Sequence, residues 1–79
     1  MPEKIIKFIN SLDKKTRERL KKRLEDLKMN PFKTSNDVKK LKGYKENCYR
    51  LRMGKIRIIY IINNNKIEII DIDYRGNIY

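Results

Sequence analysis

The sequence predicts an α+β domain: an N-terminal helical hairpin packed on one face of a three-stranded antiparallel β-meander. Three observations predict it. Up to Asn30 the apolar residues recur at helical spacing, and from Cys48 onward they recur at every second position. Gly54-Lys55 and Asn63-Asn64-Asn65 punctuate the second half as two tight turns. The chain has 79 residues, which suits a single domain spanning 1–79. A domain of that size buries only about 60% of its unfolded surface, so its core is small.

The first helix is expected over 3–11. Pro2 is placed to open it, because proline at the first helical position loses no hydrogen bond. Ile5, Ile9 and Leu12 recur at helical spacing, with Ile6 and Phe8 beside them. Ser11-Leu12-Asp13 breaks the run, and Asp13 can cap a second helix over 14–29. Leu20, Leu24 and Leu27 then form one narrow apolar stripe. The other faces hold Lys14, Lys15, Arg17, Arg19, Lys21, Lys22, Arg23 and Lys28, and Glu18 can pair with Lys22 one turn on. This charge run reads as a solvated outer face. Asn30-Pro31 ends the helix.

"NPFKTSNDVKKLKGYKEN", residues 30–47, is polar and rich in turn formers, and is expected to be a loop. Leu41 anchors it, while Lys39, Lys40 and Lys42 point outward. Three strands follow, over 48–53, 56–62 and 66–73. In "CYRLRMGKIRIIY" a two-residue loop with Gly first suits a type II′ turn. It pairs Met53 with Ile56, Arg52 with Arg57, Leu51 with Ile58, Arg50 with Ile59 and Tyr49 with Tyr60. One hairpin face then holds Tyr49, Leu51, Met53, Ile56, Ile58 and Tyr60. The other holds Arg50, Arg52 and Arg57 and is expected to be open and basic. The second turn admits two registers. A two-residue loop turns Ile67 and Ile69 toward the helices, and a three-residue loop turns Ile70 and Ile72 there, because a one-residue slip exchanges the faces.

Lys and Arg number 21 against 10 Asp and Glu, a net charge of +11. Self-repulsion of that size makes sense if the usual partner is a polyanion or an acidic protein. There is no histidine and a single cysteine, Cys48, so the chain offers neither a His/Cys zinc-ligand set nor a histidine acid–base pair. The lone thiol and the lack of a signal peptide suggest a reducing, cytoplasmic setting. No apolar run approaches the roughly 20 residues of a membrane helix. No cofactor is expected. Like charges facing each other destabilise a sheet, so the Arg52–Arg57 pair is costly unless an anion bridges it. Arginine forks match phosphate oxygens, and nearby tyrosines can stack on splayed bases. The competing explanation is that Asp71 or Asp73, on the neighbouring strand, neutralises Arg57.

These residues carry a resemblance. "LKGYKENCYRLRMGKIRIIYIINNNKIEIIDIDYRGNIY" resembles the C-terminal half of the RelE/ParE toxin superfamily. The shared elements are an "LKG" segment, a "YRLR-G-RIIY" hairpin, an "I-I-D-I" strand and a terminal "R-G-x-x-Y". "FINSLDKKTRERLKKRLEDLKMNPF" resembles the helical hairpin that precedes them. The RelE-like branch consists of small basic toxins that cut messenger RNA in the ribosomal decoding site and are silenced by an antitoxin. The resemblance therefore implies a ribosome-dependent endoribonuclease with a RelB-like acidic antitoxin, the ribosome and mRNA as partners. Arg57, Arg75 and Tyr79 match the family's catalytic positions. Arg50 and Arg52 match its basic residues on the hairpin, and Lys40 and Lys42 join them as candidate RNA-binding residues. Relatives usually open with a strand ahead of the first helix, and the expected sheet here lacks it. The implied chemistry is metal-free attack of the RNA 2′-hydroxyl on the adjacent phosphate. Two other readings share the fold: a ParE-like toxin that inhibits DNA gyrase, and a non-catalytic module that binds nucleic acid or antitoxin. Retention of the arginine and tyrosine set favours the first.

Overall fold

A computed structural model of the protein describes residues 3–31, 33–43 and 47–74. Two helices, α1 (Glu3–Ser11) and α2 (Lys14–Met29), lead into four strands, β1 (Val38–Lys40), β2 (Cys48–Met53), β3 (Ile56–Asn63) and β4 (Lys66–Tyr74). Asp13 caps α2 as expected. It has extended backbone, and its side chain accepts from the Thr16 amide and hydroxyl, which holds its carboxyl below the usual aspartate range. Leu20 and Leu27 are buried along the predicted stripe, and Leu12 is buried between the helices.

Among the described residues the sheet has four strands in the order β1-β2-β3-β4, all antiparallel, rather than the three expected. The added strand is Val-Lys-Lys, inside the stretch read as loop. Three residues with one apolar side chain leave no alternation to detect. What makes β1 a strand is its pairing with β2, Val38 to Leu51 and Lys40 to Tyr49, together with burial of Val38. Its two lysines sit on a sheet edge, where charge discourages pairing with other chains.

The first hairpin has the predicted register throughout, and Gly54 takes a positive φ of 59° at its turn. The second turn has two residues. Asn63 pairs with Lys66, and Asn64 and Asn65 both adopt left-handed backbone at φ 52° and 60°, as a type I′ turn requires. Ile67 and Ile69 therefore face the helices beside the turn. A bulge between Ile59 and Tyr60 then shifts the register, so that Ile58 pairs with Ile72. Beyond the bulge Ile72 is fully buried in the core. Each predicted register thus describes one part of β4, and Ile70 is the extra residue at the switch. The core lies between this sheet face and the helices, with Ile5, Leu20, Leu51, Ile58, Tyr60 and Ile72 at its centre.

Candidate nucleic-acid interface

The sheet face away from the helices holds Cys48, Arg50 and Arg52 on β2, Arg57 and Ile59 on β3, and Asp71 and Asp73 on β4. It is not the open face expected from the sequence. Cys48, Ile59 and Arg57 are only 0%, 3% and 6% exposed.

Its charges form rows across the strands. In the first row Arg52 faces Arg57, as predicted, and Arg57 faces Asp73. On the other side the Arg52 amide donates to the Asp37 carbonyl at 2.7 Å, which places Asp37 beside Arg52. The row therefore reads Asp37–Arg52–Arg57–Asp73, with a carboxylate at each end. The Arg52 guanidinium lies 3.4 Å from Asp37 Oδ1, and its Nη2 donates to the Asn36 carbonyl at 3.3 Å. Arg57 Nη1 donates to the carbonyls of Gly54 and Ile56 at 3.0 and 3.3 Å. The like-charge pair is offset inside the protein, close to the competing explanation, with Asp73 as the facing carboxylate.

The next row reads Lys39–Arg50–Ile59–Asp71. Here cation faces cation, and Ile59 separates Arg50 from the carboxylate. Asp71 is taken by Lys4 of α1 at 2.7 Å, a contact that raises the lysine pKa. Arg50 Nε and Nη2 are buried with no hydrogen-bond partner among the described residues. Buried guanidinium nitrogens without an acceptor are costly, so among the described residues Arg50 is the arginine of this face whose buried donors the protein leaves unsatisfied.

The remaining predicted residues divide. Lys40 pairs with Tyr49 and so belongs to the opposite face by register, though it is exposed. Lys39, with Arg50's parity, is the lysine the sheet brings to the site. Lys42 is exposed in the following loop. Arg75 and Tyr79 lie outside the described residues. Tyr49 and Tyr60 stack at 5.7 Å on the core side and are buried, so neither offers a ring to a base from this face. Burial, with Tyr49 adding to it, pushes the Tyr60 phenol up to about 12. Asp37 was missed by sequence reasoning. It sits in a polar segment, and its importance comes only from the β1–β2 pairing.

Comparison with known proteins identifies the family and the fold. The chain is 36% identical over 61 residues to a protein named as toxin RelE1 of Methanocaldococcus jannaschii, covering 76% of this chain and 67% of that one. Its fold superposes with a TM-score of 0.73 on a chain in the crystal structure of the RelB–RelE antitoxin–toxin complex from Methanococcus jannaschii, at 29% identity, over 94% of this chain and 87% of that one. The family model for the ParE toxin of type II toxin–antitoxin systems matches residues 3–79. The chain belongs to that family of toxins, within the RelE/ParE superfamily.

Proposed function

We propose that this toxin is a RelE-like, ribosome-dependent endoribonuclease of the cytoplasm, and that the sheet face around Arg50 receives the backbone of messenger RNA. The observation that supports it most is the pair of buried, unpartnered guanidinium nitrogens of Arg50, set beside Lys39 in a row that lacks a free carboxylate. A phosphate there would accept from Arg50 and relieve the burial cost. RNA carries its own nucleophile. The 2′-oxygen attacks phosphorus, the bond from phosphorus to the 5′-oxygen breaks, and the products are a 2′,3′-cyclic phosphate and a 5′-hydroxyl. One proton leaves the 2′-hydroxyl and one reaches the 5′-oxygen. Arg57, held rigidly on a central strand, is the proposed stabiliser of charge at phosphorus. Arg75 and Tyr79 are proposed from the family resemblance as the second cationic group and the proton carrier. Arg52, Lys40 and Lys42 would hold flanking phosphates.

The partner that silences it is, in this reading, a RelB-like antitoxin. A groove of about 750 Å³ runs between α2 and β4, lined by the apolar Ile9, Leu20, Leu24, Ile67 and Ile69 and by three cations, Arg17, Lys21 and Lys28, against two carboxylates, Glu25 and Glu68. Among the described residues no strand pairs with the outer edge of β4. An acidic segment with apolar anchors fits both features.

The second reading, a toxin that acts by binding DNA gyrase, draws support from the ParE family model and from the internal neutralisation of the Arg52–Arg57 row. One experiment separates the two. Purified toxin is added to ribosomes programmed with a defined message, and in parallel to gyrase on relaxed plasmid. Cleavage yielding a 2′,3′-cyclic phosphate, weakened in Arg50→Ala, supports the first reading. Intact message with inhibited supercoiling supports the second.

A further inference from the structure

At the end of the molecule where the β2–β3 turn approaches α2, four cations surround a cavity of about 420 Å³. Arg19, Lys22 and Arg23 come from one face of α2, at positions i, i+3 and i+4, and Arg52 comes from β2. Two features set this cluster apart from the solvated charge run that the sequence suggests. Asp37 is shared between elements: Arg23 Nη2 lies 3.3 Å from its Oδ2 and Arg52 Nη2 3.4 Å from its Oδ1. One carboxylate therefore holds two guanidinium groups on the same cavity wall, and each keeps further N–H donors for another acceptor. Arg19 and Lys22, by contrast, have no ion pair among the described residues, and the Glu18–Lys22 pair that spacing suggests is not formed. Four cations stand against two carboxylates, Asp26 and Asp37.

The geometry points to a second anion site here, one that receives backbone phosphates of double-helical RNA. This rests on the reading that the toxin works on RNA. Among the described residues the site holds no aromatic ring on which an unpaired base could stack, so they fit phosphates carried by a duplex rather than a splayed single strand. Among the described residues it also lacks an exposed apolar anchor of the kind an acidic protein segment needs, since the one large apolar residue among them, Met53, is buried in the core. Arg52 belongs both to this cavity and to the sheet face. An RNA assembly gripped at Arg50 can thus extend round the hairpin tip onto α2.

The test is fluorescence anisotropy of a short labelled RNA duplex titrated with the full chain at several salt concentrations. In Arg19→Ala/Lys22→Ala, alanine preserves the helix. That variant should bind the duplex about tenfold more weakly and lose one to two units from the salt slope, at roughly 0.9 per phosphate contact. An unchanged affinity and slope in the double variant, with its melting temperature retained, overturns the site. A double variant that loses antitoxin affinity while keeping duplex affinity overturns it in favour of an acidic protein. Message cleavage on programmed ribosomes separates this proposal from the one beneath it. Wild type that cleaves but ignores the duplex loses only the α2 site, whereas wild type that binds through Arg19 and Lys22 without cleaving loses only the cleavage reading.

Discussion

Arg57 and Arg50 occupy adjacent rows of one sheet face, and their environments give them opposite energetic roles. Arg57 is buried, donates to two carbonyls and faces Asp73. The sequence alone suggests that removing it relieves repulsion with Arg52. The structure reverses that expectation, because Arg57→Ala removes two hydrogen bonds to the Gly54 and Ile56 carbonyls and the cation that faces Asp73 across the strands. Losing hydrogen bonds to a buried charged group costs about 1.5–3 kcal/mol, so Arg57→Ala should unfold at a clearly lower urea midpoint. A loss of cleavage in that variant then needs correction for the folded fraction. Arg50 makes no compensating contact through its buried nitrogens. Arg50→Met keeps the long side chain and removes the uncompensated charge, so it should be neutral or slightly stabilising while RNA binding falls. A destabilised Arg50→Met would show that Arg50 is a structural group. Tyr60 provides a control with no proposed ligand. Its hydroxyl is buried and unpartnered, and its ring stacks on Tyr49. Tyr60→Phe keeps the stacking and should be neutral or stabilising by up to about 1 kcal/mol in the same assay.

The two hairpins show what the chain reveals locally and what it conceals. Gly54 opens a turn whose φ of 59° favours glycine, although a Cβ there would meet no atom within 4 Å. Gly54→Ala should therefore cost about 1–2 kcal/mol from backbone strain alone, with no clash to relieve by repacking. A neutral Gly54→Ala would mean that the turn shifts to another type. That hairpin was fully legible: alternation, a Gly-led loop and two matched apolar edges set every pair from Met53–Ile56 to Tyr49–Tyr60. The helices were legible for similar reasons, through the Leu20–Leu27 stripe and the Asp13 cap. The second hairpin was legible only at its turn. "KIEIIDID" is apolar at both parities, so nothing in it marks the point where the bulge moves the core face from Ile69 to Ile72. β1 was hidden because three residues carry no period. The candidate site suffered most from these two gaps. Without β1, Lys39 and Asp37 have no place beside Arg50 and Arg52. Without the bulge, Asp73 does not face Arg57. The arginines could be listed from the sequence, but which one is internally neutralised depended on its neighbours across the sheet.

For the molecule as a whole, a charge of +11 on 79 residues sits beside an unequal distribution of open surface. The arginine rows proposed to receive RNA and the α2 cavity lie on the hairpin side, while the apolar groove lies between α2 and β4, lined also by Arg17, Lys21, Lys28, Glu25 and Glu68. An acidic antitoxin segment seated in that groove would bury apolar side chains against Leu24 and Ile67, pair its backbone with the edge of β4 that bears no strand among the described residues, and neutralise the cations of the rim. These contributions respond differently to perturbation, which makes the placement testable by calorimetric titration of antitoxin into toxin. Leu24→Glu puts a carboxylate on the half-buried groove wall, opposite an acidic segment, and should weaken antitoxin binding by about a hundredfold or more, as for an unpaired charge at an interface centre. Lys21→Ala, on the rim, should cost about fivefold or less and mainly slow association, because rim charges steer more than they hold. Affinity of the wild type should fall as salt rises, since exposed charge pairs are screened beyond a Debye length of about 10 Å at 0.1 M. Leu24 is half-buried and packs against the core, so the melting curve of Leu24→Glu is measured alongside, and the affinity is compared at temperatures where the variant stays folded. Antitoxin affinity that is flat with salt, and untouched by Leu24→Glu, would place the antitoxin elsewhere on the toxin.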